Sequence, residues 1–192
     1  MALMDDLVLD GTNADEIEGD IKSGGTIPRG DYHAVLTEAE EAEAGQSGKK
    51  ISKLTFEVTD PKFAGKNVDA DLFHEGNSES ATKVCKNQLI HFGVKLGLIE
   101  KVRGSTGINT FRYAQGKADF VDVIGAPCII SVDIATFKRK DGTEGQKNVV
   151  KMFGIAGPNE AAPSVQAKAM IEKKEAAIAG AKNPNAGDYS DM

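Results

Sequence analysis

No tryptophan, only two cysteines, only three histidines and no long apolar run occur among the 192 residues, and each shortage removes a class of protein. Nothing approaches the roughly 18 consecutive apolar residues of a membrane-spanning helix, so no membrane partner is expected. The first residues are acidic where a secretion signal is basic, which points to the cytoplasm. Cys85 falls in a helical apolar stripe and Cys128 in a strand pattern, so both read as buried free thiols and not as a disulfide. His33, His74 and His91 stand at no ligand spacing with a cysteine or with one another, and neither a metal nor a cofactor is expected. Phosphate-binding loop, nucleophile elbow and glycine pairs ahead of a helix are all missing, so the chain does not read as an enzyme and no catalytic residue is assigned. The carboxylates Asp69 and Asp71 share one strand face; their plain reading is a solvated surface that discourages edge pairing.

What is present suffices for one domain with tails, at 40% apolar residues. The formal charge of -6 is unevenly spread. Residues 1–25 carry seven acids (Asp5, Asp6, Asp10, Asp15, Glu16, Glu18 and Asp20) against Lys22. Residues 156–192 hold five acids and four lysines, which leaves 26–155 with 18 bases against 17 acids. The expected organisation is an acidic mobile segment over 1–25, one domain over 26–157, and a tail over 158–192 that is helical and then disordered. A short helix over 13–21 fits the acidic segment.

The one long helical pattern in the middle of the chain lies at 78–98. Ala81, Val84, Cys85, Leu89, Phe92 and Leu96 recur there at three- and four-residue steps, an apolar stripe about six turns long. Asn77 or Ser78 can cap its start, Glu79 suits the first turn and Gly97 offers a stop. Before it, 31–42 reads as a strand despite its Glu and Ala. Residues 51–60 alternate, with Leu54, Phe56 and Val58 inward; Val68, Ala70 and Leu72 follow on the inner parity, with Phe73 outward. After it, 103–116 shows no period and reads as a loop, and 118–124 as a short helix packing Phe120, Val121 and Ile124. Residues 127–138 place Cys128, Ile130, Val132 and Ile134 inward, with Ile129, Ser131, Asp133, Ala135 and Phe137 on the opposite parity. Residues 138–147 form a hairpin loop around Asp141-Gly142. The return strand, 148–155, buries Val150 and Met152 and presents Val149, Lys151 and Phe153. Residues 163–180 read as a helix with a thin apolar stripe. Three strands, a helix and two strands make the chain order of an all-β, five-stranded OB-type antiparallel barrel with a helix between strands 3 and 4.

In that topology the two hairpins wall a groove, and the bases gather at them. Lys49, Lys50 and Lys53 follow the first turn; Lys138, Arg139 and Lys140 precede the second, with Lys147 and Lys151 beyond it. Basic walls track phosphates, and the outward rings of Phe73, Phe137 and Phe153 suit stacking on unpaired bases. Singly, each lysine is an ordinary loop charge and each ring a second core or dimer contact; their joint placement carries the reading.

Gly30-Asp31-Tyr32, Gly48-Lys49, the Leu54, Phe56, Val58 alternation, Phe63-Ala64-Gly65-Lys66 before Leu72-Phe73, and Gly93 with Leu96-Gly97 resemble one known family. They are similar to the bacteriophage single-stranded DNA-binding proteins of OB fold, long filed as a domain of unknown function. The resemblance covers about 27–155. It implies sequence-independent binding of single-stranded DNA in phage replication or recombination, in the host cytoplasm, with a tail that recruits phage or host replication and recombination proteins. Many relatives keep that tail acidic at the C-terminus, whereas here the tip has only Asp188 and Asp191 and the acid is at the other end. Two alternatives stay open: a structural or assembly protein of a virion, and an OB-type module that binds protein. A homo-oligomer also stays open.

Overall fold

The computed structural model describes residues 25–44, 48–104, 108–138 and 142–181. The segment 1–24, with the helix expected at 13–21, and the C-terminal tip lie outside the described residues. Among those described, the strands are β1 (Gly30–Ala44), β2 (Lys49–Val58), β3 (Asn67–Phe73), β4 (Ile99–Arg103), β5 (Asn109–Tyr113), β6 (Pro127–Lys138) and β7 (Glu144–Ala156). The helices are α1 (Glu79–Lys95) and α2 (Pro163–Ala181). The protein is thus mostly β with two helices.

Five strands close into a ring in the order β1-β2-β3-β7-β6. The alternation in β2 sets its inside: Leu54, Phe56 and Val58 are buried, as are Val68, Ala70 and Leu72 across from them on β3. The Glu- and Ala-rich end of β1 is strand, held by pairing to β2 from Ala34↔Val58 to Ala44↔Lys49. Sheet hydrogen bonds here override the helical propensity of that composition. An all-antiparallel barrel was the expectation, and it is corrected: β3 and β7 run parallel at Asp69↔Val149, so the sheet is mixed. In a closed ring of antiparallel neighbours, directions must alternate all the way round. Five strands cannot do that, and one parallel pair is unavoidable.

Helix α1 starts where expected, with Ser78 Oγ accepting from Ala81 N at 3.2 Å, and stops through Gly97 at φ 74. It packs against β3, β4 and β7 and sends Phe92 into the ring. The full-length buried stripe is corrected: only Phe92 and Gly93 are buried within the helix, and Val84 is exposed. Ile27 enters the core too, its backbone exchanging hydrogen bonds of 2.8 and 2.9 Å with the Asn148 side chain.

The cysteines differ from expectation in one respect. Cys128 is buried, and burial pushes its thiol up to about 12, whereas Cys85 is only half-buried. A thiol reagent at pH 8 is therefore expected to label Cys85 in the folded protein and both cysteines after denaturation, counted by mass. Rapid native labelling of Cys128 would contradict this packing.

Three further expectations change. The loop expected at 103–116 contains β5, which pairs with β4 as a separate two-stranded ribbon. Every residue of β5 is exposed, so no buried face imposes a hydrophobic period on its sequence. The short helix is a 3-10 turn over Phe120–Val123 that buries Phe120 and Val123 and leaves Val121 and Ile124 exposed. On β6, Ile129 and Ser131 are buried despite their outward parity, because α2 packs along β1, β6 and β7.

Candidate nucleic-acid interface

The register places Lys53, Phe73, Phe137 and Lys147 on the outside of the ring. Two cross-strand rows run over β1, β2 and β3: Glu40, Lys53, Asp71, and beside it Glu38, Thr55, Asp69. Lys53 Nζ lies 3.3 Å from Glu40, and Lys147 Nζ reaches Asp69 at 3.6 Å from β7. Lys147 is in a strand and not in the hairpin loop, because β7 begins at Glu144. Both ion pairs are solvent-exposed, so each contributes at most about 1 kcal/mol and a phosphate can replace its carboxylate. The middle of this face is accordingly balanced in charge.

Its two ends are different. Phe73 stands at one, opposite Ile51, which is buried although its parity is outward. Phe137 stands at the other, with its ring over Gly145; a Cβ there would come within 2.7 Å of the ring, so only glycine admits this contact. Phe73 and Phe137 are 39% and 43% exposed. The register puts the β1–β2 hairpin beyond the Phe73 end and the β6–β7 hairpin beyond the Asp69 end. Lys49 Nζ donates to Asn77 Oδ1, while Lys50 and Lys138 are exposed and make no ion pair among the described residues. Arg139 and Lys140 lie outside the described residues.

Phe153 belongs to another neighbourhood. Between Val150↔Val132 and Ile155↔Ile130, β7 sets Lys151 to Gly154 opposite Ser131, a wide bulge in which Phe153 takes φ 55. The bulge overturns the strand parity, so Met152 is 64% exposed where it was expected inside. Phe153 meets His91 of α1 edge-on at 5.6 Å, and both line a groove of about 390 Å³ with Lys151 and α2 residues Ser164 and Met170. Burial in this groove pulls the His91 imidazole below its ordinary range. The structure thus groups Phe73 and Phe137 with the basic hairpins and sets Phe153 beside the helices.

Sequence reasoning missed the ribbon. In an antiparallel pair, directly opposed residues share a face. Lys101↔Phe111 and Ile99↔Tyr113 therefore bring two aromatic rings onto one side with Lys101 and Arg103. Ile99, at the root of this face, packs on Gly93 of α1. On the other side Arg112 Nε pairs with Glu100 at 2.6 Å. No alternation in 109–113 marked the ribbon, because every residue of β5 is exposed.

A five-stranded mixed ring with a helix at one end, basic hairpins and an exposed ribbon is the class of molecule these features define. Residues 13–124, more than half of the chain, match the family described as protein of unknown function (DUF669), and the chain belongs to it. The match takes in β1 to β5 and ends before β6 and β7. No curated protein matches the chain. Among the described residues no helix is long and apolar enough to cross a membrane.

Proposed function

We propose that this protein binds single-stranded DNA without strong sequence preference, on an OB-type barrel, in phage DNA replication or recombination. The observation that carries the reading is the pair of solvent-facing rings, Phe73 and Phe137, at opposite ends of one sheet face and each beside a basic hairpin. Rings accept any base face, and lysines track the backbone between them, so recognition needs no base-edge code. The acidic segment over 1–25 is the candidate for recruiting replication or recombination proteins. A second reading has its own observation: the carboxylates Glu38, Glu40, Asp69 and Asp71 across the middle of the face suit an OB-type module that binds a basic protein.

A gel shift with labelled oligo-dT, single- against double-stranded, separates the two. The salt response tests the site itself. About four to six phosphate contacts, drawn from Lys49, Lys50 and Lys138 and the rest of the β6–β7 hairpin, with Lys53 and Lys147 exchanging partners, give a slope of log affinity on log salt near -3 to -4, at about 0.7 per contact. A flat response would exclude the hairpins as the binding site.

A further inference from the structure

The β4–β5 ribbon is an arm in which every residue of β5 is exposed, while β4 is half-buried at Ile99, Glu100 and Val102. Ile108, Phe111 and Tyr113 are 66%, 52% and 58% exposed, a concentration of large apolar side chains that a strand in water does not need. An isolated two-stranded ribbon is marginal alone, so its anchoring matters. Leu98 is buried at the root, Ala114 N donates to Leu98 O at 2.9 Å, and Lys117 Nζ donates to Gly97 O at 2.8 Å. The arm is fixed where it leaves the body and exposed along β5.

We infer that the face of this ribbon bearing Phe111, Tyr113, Lys101 and Arg103 is a second contact for single-stranded nucleic acid, extending the path beyond the ring. The inference rests on the function proposed above. Two features select a polyanion with unpaired bases. Arg112 consumes the one carboxylate of the paired strands, Glu100, on the opposite side, so Lys101 and Arg103 are left without an ion pair among the described residues, on the side of the rings. Phe111 and Tyr113 are two residues apart on one strand, roughly 6.8 Å. That is about twice the 3.4 Å stacking interval of a nucleic-acid strand, which leaves room for one flat base between the rings. Uncharged apolar partners would gain nothing from the two cations.

The test uses the full chain and labelled oligo-dT of about 8 and about 30 nucleotides, one within and one well beyond the roughly 4–16 nucleotides that one OB fold covers. Replacing Phe111 and Tyr113 together by Ala is expected to weaken binding of the long strand at least tenfold, leave the short strand unaffected, and leave the melting temperature unchanged. Replacing Lys101 and Arg103 together by Gln is expected to make the salt slope on the long strand shallower by about 1.4. If the unaltered chain binds neither strand, the functional reading falls and this inference with it. If it binds both and the aromatic variant binds the long strand equally well, the arm alone is overturned. A lowered melting temperature, or an oligomer lost in sedimentation with affinity per protomer intact, would overturn it in favour of packing or of contact between copies.

Discussion

Phe56→Ala is expected to lower the melting temperature by roughly 10–20 °C while leaving oligonucleotide affinity, measured well below the new midpoint, close to that of the parent. Phe56 lies in the middle of β2, opposite Leu36 on one side and Val68 on the other, and all three are fully buried. Removing a buried phenyl group loses its transfer free energy and leaves a cavity that a closed ring of strands cannot readily collapse, which together cost about 3–5 kcal/mol. Domains of this size are stable by only about 5–15 kcal/mol, so the loss is a large fraction of the whole. Urea denaturation is the direct check: the midpoint should fall with little change in slope. A loss below about 1 kcal/mol would mean that the inward parity of β2 is wrong.

That parity was legible because the physics behind it is local. β2 and β3 each have one wet and one dry face, so Leu54, Phe56, Val58, Val68, Ala70 and Leu72 print their facing directly in the sequence. The start and stop of α1 were legible for the same reason, since capping by Ser78 and a left-handed Gly97 need only neighbouring residues. Non-local effects hid the rest. Nothing near Met152 and Phe153 announces that β7 bulges opposite Ser131, and nothing near Ile129 says that α2 will cover it. The ribbon escaped because exposure of every residue of β5 removes the alternation by which strands are recognised. Of the candidate site, the hairpin bases and outward rings were visible; that Lys53 and Lys147 already have carboxylate partners was not, because those partners come from adjoining strands.

Phe73→Ala and Phe137→Ala are expected to reverse the Phe56 pattern, each weakening single-strand binding about tenfold or more with a far smaller loss of stability. A base stacked on an aromatic ring contributes roughly 1–3 kcal/mol by alanine substitution. What each ring covers bounds the cost in stability. Phe73 shields Ile51 from one side, and Phe137 lies over Gly145, so each truncation uncovers some surface, but neither ring is enclosed and no internal cavity results. The cost in folding should stay well under the value for a fully buried phenyl group. Tyrosine at either position keeps the flat face and should restore most of the affinity, which a purely packing role would not require. Calorimetric melting and oligo-dT titration on the same four variants give the answer. Equal loss of stability in Phe73→Ala and Phe56→Ala would show that Phe73 is a core residue. Intact folding and intact DNA binding, with an oligomer dissociated, would give the face to subunit contact and favour the virion-assembly alternative.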